Sequence, residues 1–187
     1  MDEKVRCFGD CPIYIDYHDN EWGRPVHDDK KLFEILILEG AQAGLSWITV
    51  LKKREAYREA FDGFDAGKIA LYDDAKVGEL MANGGIIRNR LKIRAAITNA
   101  KLFLGIVGKY GSFDRFIWSY VDYKPVVGGW KNFREMPPTT PISDRISNDL
   151  KKMGFKFVGS TIIYSFMQAA GMVNDHLTDC FVYGLTK

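Results

Sequence analysis

The chain has 187 residues, 47% of them apolar and 27% charged, with a formal net charge of +2. That balance excludes an intrinsically disordered chain and describes a folded domain with a sizeable core. No apolar run approaches the roughly 20 residues that a membrane span needs, so no membrane partner is expected. The first residues, Met1-Asp2-Glu3-Lys4, lack the apolar core of a signal peptide, and a cytoplasmic location is expected. Three cysteines, Cys7, Cys11 and Cys180, do not make a disulfide framework in a reducing compartment.

Taken in order, residues 1–27 read as irregular, with Pro12, Gly23 and Pro25 interrupting the segment Tyr14-Ile15-Asp16-Tyr17-His18. Asp28 or Asp29 can cap a helix that begins near Lys30. Its run from Leu32 to Leu38 is apolar throughout and should be buried, and it ends on a carboxylate, Glu39. Small and polar residues follow, and Trp47 then opens a second helix over 46–61. The small residues permit close approach, so an acid and an indole face can share one pocket. Taken alone, the same residues also fit a solvated helix end and a core anchor.

Two short helices are expected over 65–71 and 73–81, then a long one running through Lys109 with Ile93, Ala96, Ile97, Ala100 and Leu104 on one side. Ser112 caps a helix over 113–121. Residues 124–141, rich in Pro and Gly, form the longest loop. Ser143 is expected to cap a helix that ends at Gly154, and a last apolar helix covers 162–172. No strand pattern or internal repeat is visible, and the predicted fold class is all-α.

Between the fourth and fifth helices stands Asn83-Gly84-Gly85-Ile86-Ile87-Arg88-Asn89-Arg90. A glycine-led apolar turn between two helices resembles the helix-hairpin-helix element of DNA-binding proteins. Backbone N–H groups of Gly84, Gly85 and Ile86 can face one phosphate, with Arg88, Arg90 and Lys92 adding charge. Basic knots at Lys52-Lys53-Arg54 and at Lys151, Lys152 and Lys156 extend the same polyanion-binding reading. A helix C-cap followed by a tight turn explains Gly84-Gly85 equally well.

The cysteines and histidines gather at the two ends of the chain. His176 and Cys180 stand at i and i+4, on one face if helical, and Cys7 and His18 flank a turn containing Gly9 and Pro12. Two Cys and two His make a tetrahedral Zn²⁺ set that would clip the termini together. Cys11 and His27 are rival ligands within the same composition.

Five segments, in order, carry a further signal: Tyr17-His18-Asp19-Asn20-Glu21-Trp22-Gly23, Gln42-Ala43-Gly44-Leu45-Ser46-Trp47, Gly85-Ile86-Ile87-Arg88, Gly154-Phe155-Lys156-Phe157-Val158-Gly159 and Val173-Asn174-Asp175-His176. Together they resemble the 3-methyladenine DNA glycosylase I family, an outlying branch of the helix-hairpin-helix glycosylases, over essentially the whole chain. The resemblance implies one glycosylase domain over 1–187, of two packed helical lobes, with a structural Zn²⁺ on Cys7, His18, His176 and Cys180. It implies hydrolytic, monofunctional removal of 3-methyladenine from alkylated duplex DNA, with no obligate protein partner. Glu39 and Tyr17 would act as the polar readers of the base, Trp47 as its stacking face, with Tyr14 and Phe8 beside them. The segment from Cys7 to Tyr14 is shorter than the family's usual spacing, and Phe8 follows the first cysteine directly. Cys11 is an extra thiol in that turn. A non-catalytic, zinc-stapled DNA-binding module is the alternative, and it would need only the hairpin and the basic knots.

Overall fold

The computed structural model describes residues 4–185, and they are mostly helical. The organising element is α2 (Asp29–Gln42), whose residues from Leu32 to Ala41 are all buried. Asp28 begins it, its side chain accepting from the Lys31 N–H at 2.8 Å. Because α2 is apolar on every face, it must be wrapped on every side. The elements that pack against it include α3 (Trp47–Leu51), α7 (Arg90–Tyr110), α8 (Phe113–Trp118) and α10 (Ser160–Ala169).

The capping chemistry explains how neighbours are aligned on this axis. Asp29, in the first turn of α2, accepts from the N–H groups of Phe113 and Asp114, so one carboxylate ties the start of α2 to the start of α8. Asn89 caps the long α7 by accepting from the Lys92 N–H. The helix α9 (Pro141–Met153) is capped by Thr140, which forms a reciprocal box with Ser143 and leaves Pro141 in the first turn. The expected cap, Ser143, is therefore the third residue of the helix. Gly154, with φ at 101°, ends α9 in a conformation that costs glycine little.

Several boundaries differ from those the sequence suggests, each for a local reason. Residues 12–20 are helical: α1 (Pro12–Asn20) begins with Pro12 at its first position, where a proline starts a helix rather than interrupting one. The expected helix over 46–61 is two helices, α3 and α4 (Arg54–Ala60), and Lys53 at the break donates to the carbonyls of Gly84 and Gly85. The segment from His176 to Cys180 is a turn, not a helix. A two-residue parallel ladder, β1 (Val126–Val127) against β2 (Val173–Asn174), is a small exception to an all-helical fold. It pins the long loop to the C-terminal segment.

The remaining helices, α5 (Ala66–Ile69) and α6 (Asp74–Ala82), pack on α7. No helix of the described residues is long and apolar enough to cross a membrane.

Candidate active site and metal-ligand cluster

The C-terminal end of α2 delivers Glu39 into a cavity of about 280 Å³. Two consecutive turns of α1 supply Tyr14 and Tyr17, and the start of α3 supplies Trp47. Phe8 and Trp22 complete the aromatic side. The rings touch: Tyr17 and Trp47 have centroids 5.4 Å apart, and Phe8 lies 4.8 Å from Tyr14 and 4.9 Å from Trp22. The short spacing after Cys7 therefore still brings Phe8 into the aromatic wall.

Glu39 is 3% exposed, and its Oε2 is buried without any hydrogen-bond partner. Burial alone pushes its carboxyl up to about 8. The indole Nε1 of Trp47 is likewise buried and unpartnered. An orphan acceptor and an orphan donor thus border one cavity, a pattern that folded proteins rarely tolerate unless a ligand completes it. The contrast with Glu34, on the same helix, is direct. That carboxylate is buried too, but Arg58 meets it at 2.7 Å and Lys31 at 3.3 Å.

On the far side of Tyr17 and Trp47 lies a second cavity of about 270 Å³. Its acids are matched, Glu21 by a two-pronged contact to Arg54 at 2.7 Å and Glu34 by Arg58. Only the Glu39 side leaves an acid without a protein partner.

The opposite wall of the Glu39 cavity comes from residues the sequence did not single out. Ser165 and Gln168 project from α10, Gln42 from the end of α2, and Phe133 and Met136 descend from the long loop. The α10 pair sit three apart on an amphipathic helix, but nothing in the sequence says which face looks onto a cavity. Leu45, 42% exposed on the turn between α2 and α3, lines a separate cavity of about 180 Å³ that shares Glu39, Gln42 and Ser165 with the first, and Gly44 in that turn has φ at 80°.

Three of the four predicted metal ligands also meet. One ligand atom each of Cys7, His18 and Cys180 lies within 4.8 Å of the others. His176 packs edge-on to His18, with centroids 5.1 Å apart. Its Nδ1 bonds to Asn174 Oδ1 at 2.9 Å, and its Nε2 is buried without a partner. His18 is oriented the same way, Nδ1 on Asp19 at 2.8 Å and Nε2 toward the Cys180 sulfur at 3.4 Å. Carbonyl or carboxylate support at Nδ1 that leaves Nε2 free is how ligating imidazoles are usually held. Burial pushes the Cys7 thiol up to about 12 and His176 down to about 4, so a thiolate here needs a cation and His176 is a neutral donor. The residues fit a zinc ion. Gly23 is required beside them: a Cβ there would sit 2.7 Å from the His176 ring. Cys11 instead stands at the N-cap of α1, and His27 bonds Asp114 elsewhere on the surface.

The hairpin between α6 and α7 keeps Ile86 in the core and leaves Gly84, Arg88 and Arg90 exposed. Gly85 N–H donates to Asn83 and Ile87 N–H to Tyr57, which sets the shape of the turn. Lys92 does not join the exposed arginines. Its ammonium bonds the carbonyls of Ala41 and Ala43 at 2.7 Å each, closing the C-terminal end of α2.

The sequence model of the methyladenine glycosylase family matches residues 7–183. The chain belongs to that family. It is 52% identical over 178 residues to the DNA-3-methyladenine glycosylase of Haemophilus influenzae, covering 94% of this chain and 96% of that one. Among solved structures, a crystal structure of 3-methyladenine DNA glycosylase I superposes with a TM-score of 0.92 at 53% identity, covering 95% and 98% of the two chains. A Staphylococcus aureus 3-methyladenine DNA glycosylase I, solved for the basis of 3-methyladenine recognition, superposes at 0.90 with 41% identity, covering 92% of each. The family's fold is thus present over nearly the whole chain, and the cavity around Glu39 lies within the matched residues.

The raised Glu39 has a consequence for stability. An unfolded glutamate titrates near 4.5, the folded one near 8. Between those values the folded state binds the extra proton, so stability falls as pH rises through this window and levels off above it. Glu39→Gln removes the titration. The variant should match wild type in thermal denaturation near pH 4.5 and become the more stable protein by pH 8.5. Parallel melting curves over that range check it, and a pH-independent difference would show that Glu39 is not held neutral by burial.

Proposed function

We propose that the protein removes 3-methyladenine from alkylated duplex DNA by hydrolysing the glycosidic bond, as a monofunctional base-excision repair glycosylase working in the cytoplasm. The observation that carries this reading is the unpartnered Glu39 carboxyl facing an aromatic cavity large enough for one base. An adenine alkylated at N3 is cationic while attached to the sugar, and cleavage releases it as a neutral leaving group. A strong general acid is therefore unnecessary. The site has only to take the nucleotide out of the helix, hold it and favour the positive charge.

A cationic base brings the counter-charge that the buried Glu39 lacks, and draws it into its ionised form. Trp47 and the tyrosines stack on the same cation, and the free indole N–H offers one edge contact. Unmodified adenine is neutral and leaves the acid unmatched. The lining of the cavity contains no lysine among the described residues, in keeping with a hydrolytic rather than a Schiff-base route.

The hairpin supports DNA by presenting the Gly84 N–H and the exposed Arg88 and Arg90 to phosphate, in the manner of a helix-hairpin-helix element, while the Gly85 and Ile87 N–H groups are spent within the turn. Leu45, exposed on the turn between α2 and α3, is placed to fill the gap that a flipped nucleotide leaves, the role apolar wedges serve in distorted duplexes. Zn²⁺ on Cys7, His18, His176 and Cys180 would be structural, because four protein ligands leave no open position for chemistry.

Three experiments follow from these assignments. Glu39→Gln should lower the single-turnover excision of 3-methyladenine from alkylated duplex DNA, where the base is cationic, by roughly ten- to hundredfold, the value of a charge-assisted hydrogen bond. Trp47→Ala should weaken binding while keeping the preference for the cationic base. Wild-type excision by Glu39→Gln would refute the pocket. Protein purified without added metal should carry one zinc per chain, retained in Cys11→Ser and lost with a lowered melting temperature in Cys180→Ser; zinc-free, active wild type would refute the metal. For the hairpin, Gly84→Val is the clean probe, because a Cβ at Gly84 meets nothing within 4 Å whereas one at Gly85 would lie 2.9 Å from Ala56. Gly84→Val should weaken binding to all duplexes alike and leave free-base affinity unchanged. Normal duplex affinity would reduce the hairpin to a turn.

A further inference from the structure

Asp175 is fully buried, immediately before the candidate metal ligand His176 and just after β2. Its carboxylate accepts three hydrogen bonds, one from the long loop and two from α10. Oδ1 takes the indole N–H of Trp130 at 2.7 Å, and Oδ2 takes the Tyr164 hydroxyl at 2.5 Å and the Gln168 amide at 2.8 Å. Two of these donors lead directly to the Glu39 cavity. Gln168 lines it, and its amide also reaches the Met136 sulfur at 3.2 Å. Trp130 lies in the loop that carries Phe133 and Met136 over the same cavity. The loop is packed closely against this carboxylate: a Cβ on Gly128 would fall 2.1 Å from the Trp130 indole nitrogen and 2.4 Å from Asp175 Oδ1.

We propose that Asp175 is a positioning residue for base recognition, fastening the Trp130 loop and Gln168 so that Phe133, Met136 and Gln168 close the side of the cavity opposite Glu39. This rests on the pocket reading above. Three donors converging on one buried carboxylate fix both the loop and the α10 side chain relative to each other. The bonds to Asp175 add to the anchoring of this loop by the β1–β2 ladder and by Met136 on the core, and they act beside its exposed stretch, Lys131, Phe133 and Arg134. The main-chain bond from Thr178 N–H to the Trp130 carbonyl, at 2.9 Å, joins the same loop to the turn that holds Cys180.

Two variants test it. Asp175→Asn keeps the shape but sets an amide against donors, and Trp130→Phe keeps an aromatic ring while removing only the N–H donor. Both should retain zinc and duplex affinity. Both should raise the Kd for free 3-methyladenine and the KM for methylated DNA, by roughly tenfold for the first and less for the second, with the single-turnover rate at saturation much less changed. The double variant should cost no more than Asp175→Asn alone, since both act on one bond. If Asp175→Asn fails to fold, Trp130→Phe decides by itself. Wild-type base affinity in a folded Trp130→Phe, or an Asp175→Asn that merely melts earlier while binding base normally, overturns the proposal and leaves the Glu39 pocket standing. Should wild type and Glu39→Gln excise the methylated base from DNA equally well, the pocket reading itself fails and this inference falls with it.

Discussion

Glu39 is a carboxyl that the fold isolates from every protein cation, and much of the architecture can be traced to keeping it so. The helix that carries it is buried on all faces, which forces other helices to surround it. Glu34, five residues earlier on the same helix, shows that the protein can neutralise a buried acid when it needs only stability, because Arg58 and Lys31 meet it directly. At Glu39 no such partner arrives. The result is a position that destabilises the empty protein at neutral and alkaline pH and rewards a cation that enters.

The candidate metal cluster lies outside this cavity, yet the two are joined through adjacent residues. Cys7 faces the cluster and Phe8 the aromatic wall. His18 faces the cluster, and Tyr17 before it faces the cavity. His176 packs edge-on to His18 beside the cluster, and Asp175 before it holds the loop and Gln168 on the cavity's other side. Drawing the ends of the chain together at Cys7, His18, His176 and Cys180 therefore sets the spacing of pocket walls that lie far apart in sequence. A structural ion can in this way matter to recognition without touching the base.

How much of this was legible in the sequence depended on whether a signal was local. The buried helix ending on Glu39 and the Trp47 that follows are consecutive patterns of polarity, and they fold as their patterns imply. The meeting of Cys7, His18 and Cys180 was legible from composition, although the route was not: His176 and Cys180 approach through a turn, where helical spacing suggested a helix face. Pro12 was read as a break because a proline disfavours a helix interior, while its actual place is the first turn, which tolerates it. Residues 46–61 carry an unbroken helical pattern, and it gives no sign of the break before α4, where the Lys53 N–H turns to the carbonyl of Val50, three residues back. Met136, Ser165 and Gln168 carried no local signal at all. Their role arises only when the long loop and α10 are laid against α2.

Lys92 illustrates the same dependence on tertiary context. By sequence it is one more cation after the hairpin, grouped with Arg88 and Arg90. In the fold its ammonium is partly buried, which lowers its proton affinity, and it spans to the last carbonyls of α2. Those carbonyls are the negative end of the helix that carries Glu39, and an unmatched end so close would oppose ionisation of the acid. A cation placed there offsets the helix end without pairing with the carboxyl. Lys92 thus relieves the part of the cost that belongs to the backbone and leaves the acid's own charge for the base. It also leaves Arg88 and Arg90, and not Lys92, as the exposed cations at the start of α7.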